Sequence, residues 1–220
     1  MRKVILMAMF IACCASMSFA QDKHKVEVAA GFSVDSIDIG TIDTGDPTIT
    51  VTNANNRETG YGFDTSVTGF VNKNFGIEGN IDGHYKNKDF TVTQTIGTVT
   101  GTTTVNTRLS TYNFMAGPHY RFASDNSKVT PFVHGLLGAN HSRVSATAFG
   151  DSIRDTQTDF ALKLGGGVDF DVHKNVAIRL AADYNPVFER NNNTTTGLTT
   201  TTSGHRTRND GLFSIGLVFK

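Results

Sequence analysis

Eight separate stretches of this chain alternate apolar and polar residues, and none sustains the i, i+3, i+4, i+7 spacing of an amphipathic helix. An all-β fold follows. Val26, Val28, Ala30, Phe32 and Val34 alternate with Glu27, Ala29, Gly31, Ser33 and Asp35, giving a strand with one apolar face. Comparable alternations begin at Tyr61, Phe75, Tyr112, Val129, Phe160, Val176 and Phe213; the one at Val129 is less regular, because Phe132 and Leu136 fall on its other face. The connections alternate in length. Short turns are predicted at Asn72-Lys73-Asn74, Ala123 to Lys128 and Asp171 to Asn175, whereas 36–58, 87–107, 141–157 and 186–209 read as long polar connections. The long connections therefore share one end of an up-and-down sheet. The second, with Thr, Val and Ile alternating from Phe90 to Val105, is expected to prolong its hairpin.

Charge excludes one class of function. Lys+Arg 20 against Asp+Glu 20 leaves no net field to steer the chain towards nucleic acid. Beyond the extreme N-terminus no apolar run is long enough for a membrane-spanning helix, which says nothing about strands. Residues 1–20 read as a secretory signal: Arg2 and Lys3, an apolar run from Val4 to Ala12, then Ser18-Phe19-Ala20 before a cleavage at Gln21. Cys13 and Cys14 would leave with it, so the exported domain, 21–220, would have no disulfide or thiol nucleophile. A lipoprotein cleavage before Cys13 fits poorly, because Phe10 and Ile11 are bulky.

Alternation alone does not say which face is the inside. A soluble barrel holding an apolar ligand and a membrane barrel give the same pattern. The aromatic positions favour the membrane. Tyr61, Tyr85, Tyr112, Phe160, Tyr184 and Phe213 fall at the long-connection end of their apolar faces; Phe75, Tyr120, Phe170 and Phe219 fall at the short-turn end. Two such rings match the aromatic girdles at the interfaces of a bilayer. Closure is then required, because an open sheet edge in lipid would leave unpaired backbone groups.

Lys25-Val26-Glu27-Val28-Ala29-Ala30-Gly31-Phe32, Gly117-Pro118-His119-Tyr120-Arg121-Phe122, Val129-Thr130-Pro131-Phe132-Val133-His134-Gly135, Leu164-Gly165-Gly166-Gly167-Val168-Asp169-Phe170 and Gly216-Leu217-Val218-Phe219 resemble the OmpA-like and opacity-protein-like outer-membrane β-barrels. The resemblance spans 21–220 and rests on the order and spacing of these motifs. It implies an eight-stranded antiparallel barrel in the bacterial outer membrane, with a periplasmic N-terminus and four surface loops. Lipids and lipopolysaccharide would surround it, and the assembly machinery would read its C-terminal strand. Lys220 departs from the terminal aromatic residue common in such barrels; Phe219 is penultimate. A monomer without a peptidoglycan-binding domain is expected.

The polar faces supply candidate interior residues. Glu78, Asp82, Lys163, Arg179, Asp183 and Arg121 are predicted to form a paired-charge network filling the lumen, with Glu78 and Asp82 near Arg179 and Lys163. A narrow pore is the alternative use of the same residues. For an enzyme, His141 and Ser142 with Asp151 or Asp155 are the candidates, but adjacent residues of a strand face opposite sides. The seven histidines are scattered; His119 and His134 read as a cross-strand pair and not as a metal site. Gly165-Gly166-Gly167 opens no helix and lacks a Lys-Ser/Thr, so it is no phosphate loop. No cofactor is expected. The reading is a structural scaffold whose loops serve membrane integrity, adhesion or binding of an extracellular ligand.

Overall fold

The computed structural model describes residues 26–38, 48–52, 57–96, 98–123, 127–148, 151–189, 194–196, 199–201 and 206–220. The expected signal, 1–20, lies outside the described residues, as do most of 39–56 and 190–205. Eight long strands form the barrel: β1 (Val26–Asp38), β2 (Arg57–Phe70), β3 (Phe75–Ile96), β4 (Val99–Arg121), β5 (Val129–Ala148), β6 (Asp151–His173), β7 (Val176–Glu189) and β8 (Arg206–Phe219). Each pairs antiparallel with its neighbour in sequence, and β1 pairs with β8 from Val28↔Phe219 to Ser36↔Gly211, closing the sheet. Among the described residues there is no helix.

Burial is inverted relative to a soluble barrel. Phe32, Tyr61, Phe114, Leu137, Leu164 and Phe213 are each more than half exposed, whereas Lys163, Asp82 and His84 are fully buried. Water would not tolerate that exterior over so wide a band; hydrocarbon would. The aromatic positions meet along the rungs. Tyr61 pairs with Tyr85, and the Tyr85 and Tyr112 hydroxyls lie 2.9 Å apart. At the other end Phe75 pairs with Tyr120, and Val129 with Phe170.

The strands outrun the alternation that predicts them. The expected prolongation of the 87–107 hairpin is seen, with β3 paired to β4 as far as Ile96↔Val99, and 141–157, read as a connection, is also strand for most of its length, with β5 paired to β6 as far as Ala148↔Asp151. Outside a bilayer both faces of a hairpin meet water, so the β5–β6 pairing persists where the period-two signal fades. From Tyr85 to Ile96 the β3–β4 hairpin rises by about 35 Å along the strand at about 3.3 Å per residue. A short strand, Ile49–Thr52, adds to its edge opposite Thr91–Gln94. Close approach of neighbouring strands requires glycine at several positions, Gly62 and Gly165 among them. A Cβ on Gly62 would stand 1.7 Å from the Gly83 carbonyl oxygen, and one on Gly165 would stand 1.9 Å from an Asp183 carboxylate oxygen.

Candidate functional site

Side chains from all eight strands converge in the lumen, in tiers. Nearest the short turns, Arg179 donates from Nε and Nη2 to the two carboxylate oxygens of Asp169, at 2.7 and 2.8 Å. Arg121 pairs with Glu27, and Glu27 also lies 3.9 Å from Arg179. Both guanidiniums cover rings: Arg121 lies 3.8 Å from the Phe70 centroid and Arg179 4.3 Å from that of Phe132. Such planar stacking suits arginine and not lysine.

The next tier lies on one rung, where His119 of β4 pairs with His134 of β5, His134 with Gly165 of β6, and Gly165 with Asp183 of β7. With no side chain on Gly165, Asp183 reaches over the intervening strand and meets His134 Nε2 at 2.8 Å. Glu78 Oε2 faces His119 Nδ1 at 2.6 Å and His134 Nδ1 at 3.1 Å. Above it, Lys163 Nζ donates to Asp82 at 2.5 Å and to Asn80 at 2.7 Å, with Asp64 3.9 Å away. The predicted residues thus sort into separate groups. Asp82 meets Lys163, whereas Glu78 meets two histidines and Arg179 meets Asp169 and Glu27.

The expected cross-strand pair of His119 and His134 is formed, but the sequence did not place His134 inside the lumen. His134 shares the inward parity of Phe132 and Leu136, the two residues that make β5 irregular, and that parity was the available signal. Met115, Leu136, Ala161 and Val187 form an apolar cluster on one wall of the lumen. Arg208, Asp210 and Asn140 form a further polar group, joined by Arg208 Nε to Asp210 at 2.8 Å and Arg208 Nη2 to Asn140 at 3.2 Å. Beyond it the barrel opens into a cavity of about 390 Å³, lined by Ile37, Phe90, Leu109, Val144 and the Glu58 carboxylate with Lys86 and Lys88.

The other candidates part company. His141 Nδ1 lies 2.8 Å from the Thr158 hydroxyl, whereas the Ser142 hydroxyl donates to Asn140 Oδ1 at 2.7 Å. Asp155 lines the open cavity, and its carboxylate accepts from the Thr156 amide at 2.8 Å.

A third feature is on the outer wall just above the tyrosines. One rung runs Tyr85, Ser110, Arg143, Thr156; the next outward runs Asn87, Arg108, Ser145, Arg154. Arg108, Arg143 and Arg154 are exposed and line one open hollow. Rungs two residues apart and strands about 4.8 Å apart place the three within a patch of about 10 by 7 Å. Asp89 lies one rung farther out in the same hollow.

Comparison with known proteins places this geometry. The family described as outer membrane protein beta-barrel domain matches residues 5–207. The crystal structure of Ail, the attachment invasion locus protein of Yersinia pestis, is similar at 18% identity and TM-score 0.52, over 88% of this chain and 96% of that one. Ail has also been solved with the heparin analogue sucrose octasulfate, and that structure is similar at 17% identity and TM-score 0.50, over 88% and 96% of the two chains. Neisserial surface protein A is similar at 16% identity and TM-score 0.54, over 89% of this chain and 97% of that one. No curated protein matches the chain.

Proposed function

The chain belongs to the outer membrane protein β-barrel family, and from that premise we propose a scaffold with a plugged lumen whose outer rim binds polyanionic sugars. The observation that carries the reading is the cluster of Arg108, Arg143 and Arg154 above the aromatic ring. Arginine forks match the planar oxygens of phosphate and sulfate groups. The cluster would lie at the height where lipopolysaccharide phosphates end and soluble sulfated glycans can approach. Ail, of the same fold, has been crystallised with a ligand of this chemical class.

The periplasmic end would be that of the short turns, with the long hairpins outside. The outward Phe213, Ile215, Leu217 and Phe219 of β8 support its recognition by the assembly machinery. A plug is favoured over a pore because Lys163 and Arg121 each meet a carboxylate across the lumen, Arg179 meets one on the neighbouring strand, and an apolar cluster fills one wall.

The test uses the barrel in lipid nanodiscs. Binding is measured for heparin and its desulfated form, and for discs containing lipid A with and without phosphates. The variant Arg108→Gln/Arg143→Gln/Arg154→Gln should lose at least about tenfold in one arm, with a flatter salt dependence. Loss in the heparin arm identifies an extracellular glycan, and loss in the lipid A arm identifies the membrane's own phosphates. Unchanged binding in both overturns the reading.

A further inference from the structure

We propose that Glu78, His119 and His134 form a binding site for one divalent transition-metal ion of the Zn²⁺ type inside the barrel. Their ligand atoms come from three adjacent strands and all lie within 4.8 Å of one another. Donors on a tetrahedral zinc ion, about 2.0 to 2.1 Å from the metal, stand about 3.3 Å apart. The 3.1 Å separation of Glu78 and His134 is near that value, and a small rotation of the Glu78 carboxylate opens its 2.6 Å contact with His119.

The site is already assembled. His119 stacks on Phe132 with ring centroids 5.0 Å apart and meets the edge of Phe70 at 5.7 Å, so its ring is held from two sides. Asp183 accepts from His134 Nε2 at 2.8 Å. A carboxylate on the far nitrogen fixes the tautomer and turns the lone pair of Nδ1 inward, towards Glu78, as around many metal-bound histidines.

Charge supplies an independent argument. Among the described residues, Glu27, Asp64, Glu78, Asp82, Asp169 and Asp183 share the central lumen with Arg121, Lys163 and Arg179. Six carboxylates face three fixed cations, and buried charge of one sign is costly unless compensated. A divalent ion at this site supplies two positive charges. Arg179 directs its Nε and Nη2 to Asp169, so the direct hydrogen-bond partners of Glu78 are the two histidines. A cavity of about 20 Å³ borders Glu78, His134, Asp64 and Asp183, enough for a single water as a fourth ligand. Two imidazoles and one carboxylate favour zinc-type ions over Ca²⁺ or Mg²⁺.

The experiment refolds the untagged chain in detergent with Co²⁺, removes free ion and records visible absorption and metal content. The expected result is one Co²⁺ per chain with the d–d bands of a low-coordinate site, displaced by Zn²⁺. His84→Asn, altering a buried lumen histidine that contacts Ser33 and Asp82 and not the proposed site, should retain the ion. Asp183→Asn should weaken binding about 10- to 100-fold, and His119→Gln/His134→Gln should abolish the bands. Absence of bound Co²⁺ in the unaltered chain overturns the proposal whatever the variants do, as does equal uptake by the double variant.

Discussion

Replacing Lys163 by Met measures whether the lumen is a dry plug or a hydrated channel. Lys163 is fully buried, and its ammonium stands 2.5 Å from Asp82 and 3.9 Å from Asp64. At 2.5 Å the attraction of unit charges is about 7 kcal/mol for an effective dielectric of about 20, but about 2 kcal/mol in bulk water. Removing the cation from a dry site leaves two carboxylates uncompensated, and breaking a buried pair costs about 3–5 kcal/mol. Lys163→Met is therefore expected to destabilise the barrel by that amount. The double variant Lys163→Met/Asp82→Asn should recover most of the loss, because the amide oxygen it introduces can still accept from Asn113, which donates to the Asp82 carboxylate at 2.7 Å. The assay is reversible urea unfolding in phospholipid vesicles followed by far-ultraviolet circular dichroism, since the chain has no tryptophan. A loss below about 1 kcal/mol for the single variant, the range of solvent-screened pairs, would refute the dry plug.

Three further outcomes follow from the same geometry. Leu137, 58% exposed in the middle of the apolar band, should cost about 2–4 kcal/mol when replaced by Arg in vesicle unfolding, and a neutral result would remove that face from hydrocarbon. Gly165→Ala puts a methyl 1.9 Å from Asp183 and 2.5 Å from the Ala182 carbonyl; displacement of Asp183 should destabilise the barrel by about 1–3 kcal/mol and change the histidine NMR signals of the lumen. In planar bilayers the protein should give only small, infrequent conductances, and steady porin-sized currents would contradict the paired interior.

The outward face was legible in the sequence because lipid demands an apolar residue at nearly every second position; Phe32, Tyr61, Leu164 and Ile215 needed only parity to be placed. The pairing inside was not. All eight strands face one lumen, so partners are chosen by stagger between strands, which a period of two does not contain. Glu78 borders the same small cavity as Arg179, but its direct partners are His119 and His134. The arginine patch was hidden for a different reason: Arg143 and Arg154 lie where both strand faces meet water, and alternation there carries no signal.

The seam between β1 and β8 joins residues 28 and 219, a separation of 219 − 28 = 191 positions. Closing a chain loop of that length costs about 5 kcal/mol of entropy before any seam hydrogen bond forms, and an intermediate lacking the last strand would present two raw edges to lipid. Stability therefore arrives late and all at once. No fragment growing from the N-terminus is a viable stopping point, which makes the duration of synthesis and transit a period in which the chain must be kept from pairing with copies of itself.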